Sequence, residues 1–210
     1  LYGEKHPYGQ NPGGTESSLR TMTRDDLVKF FSTYYHPNNA TLLIVGDVKM
    51  QKILKELNTL FAAWKPAAIP ALNFPQTPAT TQRTIYLVDK PAAAQSEIRI
   101  GYPAASRTSP DFFALTVMNT VLGGQFTSRL NMNLREKHGY TYGARSGFTF
   151  NKQPGPFVAS AAVVTAKTDS SLREFFYEIE KMRAEGMTAD DLVLRLVKEI
   201  PPPSVPKFES

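Results

Sequence analysis

No cysteine occurs among the 210 residues. That excludes disulfides and thiolate metal sites, and it leaves the redox compartment unwritten. Histidine is scarce: His6, His36 and His138 are the only three. They lie far apart, none is paired at helical ligand spacing, and neither His-x-x-Glu-His nor its inverse occurs, so these residues predict no metal site. Long apolar runs are also missing. The apolar run of residues 40–45 is interrupted by Thr41, and no uninterrupted run exceeds five residues, far short of the roughly 20 that span a bilayer. The formal charge of +5 is spread out, with no run of Lys and Arg and no basic patch interleaved with aromatics. This argues against a nucleic-acid partner. There is no Gly-x-Ser-x-Gly elbow, and no phosphate loop follows a strand. Glu97, Asp89 and Glu136 form no paired-carboxylate pattern.

What is present is an ordinary globular composition, 41% hydrophobic and 20% charged, long enough for one large or two modest domains. Residues 1–22 read as loop. Thr23 has the look of an N-cap, with Asp25 and Asp26 in the first turn. Leu27, Phe30, Phe31 and Tyr34 follow at helical spacing until Pro37 stops the helix. Residues 41–45 predict a buried strand, and residues 50–63 a helix with Ile53, Leu57, Leu60 and Phe61 on one face. Residues 65–81, with four prolines, read as an extended linker.

A second unit starts near Gln82. Residues 84–89 and 95–101 predict two strands around Lys90-Pro91. Asp111 to Leu122 predicts a well-buried helix that ends at Gly123-Gly124. Ser128 is placed to cap a short helix running to His138, with Gly139 at its C-terminal cap. Residues 140–150 predict a strand with Tyr140, Tyr142, Ala144, Ser146, Phe148 and Phe150 on one face, and residues 157–164 another. A helix over 169–184 buries Leu172, Phe175, Phe176, Ile179 and Met182, and Thr188 opens a last helix to about Glu199. The expected class is α+β, an antiparallel sheet covered by helices on one face. Met22-Thr-Arg-Asp-Asp-Leu27 is weakly echoed by Met187-Thr-Ala-Asp-Asp-Leu192, which a shared capping signal would also produce.

Chemistry concentrates between Leu122 and Gly147. There Arg135 and Tyr142 stand where a helix end meets a strand start. Read plainly, Arg135 is a helix-surface cation beside Glu136 and Tyr142 a half-buried strand aromatic. Read functionally, guanidinium and phenol are two donors that can be aimed at one oxygen and stabilise an oxyanion in acyl transfer.

Several stretches resemble the pitrilysin/insulinase-like zinc metallopeptidase family, in particular its bacterial, processing-peptidase-like branch. His6-Pro-Tyr-Gly9, Gly14-Thr-Glu-Ser17, Tyr34-Tyr-His-Pro-Asn-Asn-Ala40 and Ile44-Val-Gly-Asp47 are similar to its region after the zinc motif. Leu122-Gly-Gly124, Ser128-Arg-Leu130 and Leu134-Arg-Glu-Lys-His-Gly139 are similar to its second homologous domain. The resemblance implies a two-domain clamshell half, with residues 1–64 the end of a first α+β domain, 65–81 the linker and 82–210 a truncated second domain. It implies that Arg135 and the tyrosine seven residues on, Tyr142, contact peptide substrate and stabilise the tetrahedral intermediate, with Tyr140 in reserve. No cofactor is implied for this chain itself. Zinc belongs to the half that is missing, either upstream or on a partner subunit, and a dimer is one way to supply it. The function so implied is proteolysis of unfolded peptides, with this chain inactive alone. The alternative is a non-catalytic family subunit acting in assembly or peptide binding. Both chain ends look cut, as expected of a fragment, and family habit points to the bacterial periplasm.

Overall fold

The structure, a computed structural model, describes residues 1–77 and 82–192. The rest of the proline-rich stretch, the continuation of the last helix to Glu199 and the tail 201–210 lie outside the described residues. Two compact units are present, Gln10–Pro75 and a unit made of Leu1–Gly9 with Gln76–Ser210. No described helix is long and apolar enough to cross a membrane.

The first unit contains helices α1 (Glu16–Thr21), α2 (Arg24–Tyr34) and α3 (Met50–Leu60). Helix α1 falls where loop was expected. Thr15 makes it possible: its hydroxyl accepts the Ser18 N–H while Ser18 Oγ accepts the Thr15 N–H. Thr23 caps α2 as expected, in a reciprocal box with Asp26. The Thr23 hydroxyl and N–H both donate to the Asp26 carboxylate and hold its pKa below the usual range. His36 Nε2 sits 2.8 Å from Ser32 O and serves the α2 C-terminus.

The buried strand expected at 41–45 does not form, and Val45 is 98% exposed. A strand needs a neighbour to pair its backbone, and Gln10–Pro75 contains no other strand. For the same reason the apolar faces of α2 and α3 stay largely uncovered, and no residue of this unit is buried.

In the second unit, strands β1 (Gln95–Pro103), β2 (Thr141–Phe148) and β3 (Pro156–Val164) form an antiparallel sheet in the order β1-β3-β2. Registration sets Ile98, Ala161 and Ala144 in one row, and Ile100, Ala159 and Ser146 in the next. These rows make the core face. Helices α4 (Phe112–Asn119), α5 (Arg129–Asn131) and α6 (Thr168–Glu185) lie on that side. Val121, Leu122, Leu130, Leu134, Phe175 and Met182 meet the sheet there, as the α+β expectation required. The opposite face, carrying Glu97, Arg99, Gly101 and Arg145, is exposed.

Three expectations for this unit are corrected. Residues 84–89 make no strand, although the turn after them forms, with Ala93 N–H donating to Lys90 O. Pro91 at its second position and Ala92 at φ 61° make this a type II-like turn, whose twist splays flanking strands instead of pairing them. Helix α4 is less buried than its composition suggested, with Phe113 largely exposed. Burial is concentrated in the π-helical turn that continues it, Thr120–Gly124. Ser128 precedes α5 without capping it by side chain; its buried Oγ has no hydrogen-bond partner among the described residues.

Gly123 explains why α4 ends as it does. A Cβ there would come within 2.4 Å of Ser146 N and Oγ, so only glycine lets the π turn rest on β2. Gly123→Ala is expected to destabilise the fold by about 1–3 kcal/mol through backbone displacement, read as a lower Tm. An unchanged Tm would show the contact is slack.

The N-terminal residues pack on this second unit. Tyr2 Oη donates to Pro154 O, and the Gln153 N–H donates to Tyr8 Oη. His6 is buried against the rings of Tyr2 and Tyr8, at 5.0 and 5.2 Å.

Candidate functional site

Strict alternation along β2 puts Tyr142 on the same face as Ala144, and the structure shows otherwise. Thr141 opposes Val163 and Ala144 opposes Ala161, so β2 carries one more residue than β3 over that interval. This β-bulge changes the parity of the strand. Thr141, Ala144 and Ser146 face the core, while Tyr142 turns outward and is 90% exposed, not half-buried. The Thr141 hydroxyl closes the bulge, donating to Ala162 O at 2.6 Å and accepting the Gly143 N–H at 3.1 Å.

Arg135 lies on the π-helical turn Met132–Lys137 that continues α5. Gly139 terminates the turn at φ 63°, where its N–H donates to Arg135 O and the Tyr140 N–H to Leu134 O. The guanidinium stacks over the Phe126 ring at 4.6 Å and its Nε lies 3.3 Å from Glu136. The Glu136 contact is the one the plain reading anticipated. It is a half-exposed pair, worth at most about 1 kcal/mol, and it leaves most of the guanidinium's donors unused.

Arg135 and Tyr142 line one groove of about 480 Å³, together with the Gly123-Gly124 turn, Phe126, Glu97, Arg145 and Ser160. Tyr140 is not among its lining residues. It stacks on His138 at 4.9 Å, with Lys167 5.9 Å from its ring.

Two side chains that hold this arrangement were not singled out from sequence. Asn131, almost fully buried, donates to Phe126 O at 2.7 Å and accepts the Ala144 N–H at 3.1 Å. It ties the loop carrying Phe126 to the strand that carries the bulge. Asn119, the last residue of α4, ties that helix to the same strand, donating to Ser146 O and accepting from Ser146 Oγ. Nothing in the spacing marked either one, because each role depends on a strand distant in sequence.

Beneath α5, Arg129 and Asp191 form a buried ion pair. Nη2 of Arg129 also donates to Gly186 O at 3.0 Å, and the Asp191 carboxylate accepts the Thr188 N–H and hydroxyl. The bond to Asp191 raises the Arg129 pKa further against the opposing cost of burial. The echoed Met-Thr-x-Asp-Asp-Leu segments thus share one local device. Asp26 and Asp191 both close a capping box, and Asp191 holds Arg129 in addition.

The side chains do not fit zinc. His6 is enclosed by tyrosines, His36 bonds Ser32 O, and His138 lies 3.8 Å from Glu174. Among the described residues no group of three or more His, Asp or Glu could hold a metal ion.

The family model described as the peptidase M16 inactive domain matches residues 21–194. The chain belongs to the M16 zinc-peptidase family. Zinc protease PqqE of Helicobacter pylori is 30% identical over 195 residues, covering 89% of this chain and 43% of that protein. An uncharacterized zinc protease of Streptomyces coelicolor is 25% identical over 184 residues, covering 85% of this chain and 40% of its own length. The crystal structure of an M16 inactive domain from Pseudomonas fluorescens superposes with a TM-score of 0.84 at 26% identity, over 96% of this chain and 49% of that one. A Helicobacter pylori protease superposes at 0.80 with 25% identity, over 88% and 45% of the two chains. The M16 chain described here therefore spans less than half the length of these relatives, and it is the inactive domain of a zinc-protease family.

Proposed function

We propose that this chain is the zinc-free half of a zinc-dependent M16 endopeptidase, in which Arg135 and Tyr142 hold an unfolded peptide and stabilise the oxyanion formed at its scissile carbonyl. On this reading residues 1–64 close a first α+β domain and 82–210 form most of the second. The observation that carries the proposal is the bulge in β2, which turns Tyr142 out to share a groove with Arg135. Both offer N–H or O–H donors, the groove is open enough for an extended chain, and neither donor is consumed by the core. The zinc would come from a half of the enzyme outside these residues, in the same polypeptide or on a partner subunit.

The test is hydrolysis of an unfolded peptide by the full-length protein that carries this chain. Activity is expected to disappear with a chelator and return with zinc. Zinc-independent cleavage, or none under any condition, would sink the proposal. The absence of cleavage alongside tight peptide binding would instead favour the second reading, a non-catalytic subunit. That reading is supported by the match to an inactive-domain model.

A further inference from the structure

The face of the sheet turned away from the helices carries a charge pattern that the proposed chemistry does not use. Arg99 of β1, Ser160 of β3 and Arg145 of β2 stand in one cross-strand row. Glu97, two residues before Arg99 on the same face, accepts from Arg99 Nε at 3.2 Å. Arg135 is matched by Glu136 at 3.3 Å. Of the charged side chains lining the groove, Arg145 alone makes no ion pair among the described residues, so its guanidinium is the unbalanced charge. Gly143 and Ala162 next to it are small and leave space over the sheet.

We propose that Arg145 makes this groove selective for extended peptides bearing an acidic side chain. The inference rests on the reading that the groove binds peptide, and it names which peptides. Tyr142 and Arg145 are three positions apart on one strand. The bulge takes up one of those residues, so the strand advances about two regular steps, roughly 7 Å at about 3.3 Å per residue, the reach of about two residues of an extended chain. A Glu or Asp that far from the carbonyl held at Arg135 and Tyr142 meets the Arg145 guanidinium, whose planar fork matches a carboxylate. A lysine at the same place meets repulsion. A merely solvated Arg145 would discriminate neither.

The experiment measures binding without turnover, by fluorescence anisotropy of a labelled, unstructured, otherwise uncharged peptide with the full-length protein. The peptide carries one central Glu, Gln or Lys. The Glu form is expected to bind about fivefold tighter than the Gln form, the scale of a well-oriented exposed charge pair. Arg145→Gln is expected to abolish that difference, and Arg145→Glu to transfer the preference to the Lys form. Equal affinity for the three peptides, no binding of any, or a preference for Glu that survives Arg145→Gln would overturn the inference. Loss of selectivity and loss of zinc-dependent cleavage are separate readouts, so this inference can fail while the peptidase reading stands.

Discussion

Arg135→Ala in the full-length protein is expected to lower kcat/KM for an unfolded peptide by about 10² to 10³, with most of the loss in kcat. That is the magnitude of removing one preorganised donor from an oxyanion site, and a fall in kcat marks an interaction made in the transition state. The competing structural role predicts something different. The Glu136 pair is half-exposed, so losing it costs at most about 1 kcal/mol of stability and leaves kcat alone. The stacking of the guanidinium on Phe126 fixes its direction, and Arg135→Lys is therefore expected to recover little, since an ammonium lacks the planar fork. A kcat within about threefold of wild type for Arg135→Ala would remove Arg135 from the chemistry.

The largest stability effect is expected at the base of the same helix. Asp191→Ala leaves the Arg129 guanidinium buried without its counter-ion and strips the Thr188 cap. Breaking a buried pair from one side costs about 3–5 kcal/mol, a large share of the roughly 5–15 kcal/mol that holds a domain together. Chemical denaturation should show the midpoint falling by a corresponding amount. Replacing both partners with apolar residues, Arg129→Met with Asp191→Leu, is expected to recover most of the loss, because the cost lies in the orphaned charge and not in the missing attraction. A single variant as stable as wild type would mean that water reaches the pair.

These two residues illustrate what was legible in the sequence. The Thr-x-x-Asp spacing announced both capping boxes, because a cap is local chemistry within four residues. The strands β1, β2 and β3, helix α6 and the antiparallel α+β class were legible from periodicity. The partner of Asp191 was not, since Arg129 is 62 residues away in sequence. The same limit hid Asn131. Residues 41–45 and 84–89 have strand composition and no strand structure, because composition does not supply a neighbour to bond. Tyr142 shows the limit most plainly. Its seven-residue spacing from Arg135 pointed to it, yet alternation put it on the buried face. The extra residue in β2, closed by the Thr141 hydroxyl against a carbonyl on β3, moves it to the groove.

That bulge makes the central claim separable from any general need for tyrosine near the strand start. Tyr142 lines the groove and Tyr140 stacks on His138 outside it. The most direct test is steady-state hydrolysis of an unfolded peptide by the full-length protein, comparing Tyr142→Phe with Tyr140→Phe. Loss of the one phenolic donor is expected to cut kcat by about 10² or more in Tyr142→Phe and to leave it near wild type in Tyr140→Phe. Equal activity of the two variants, or a loss confined to Tyr140→Phe, would contradict the assignment of this groove as the oxyanion-stabilising half of the site.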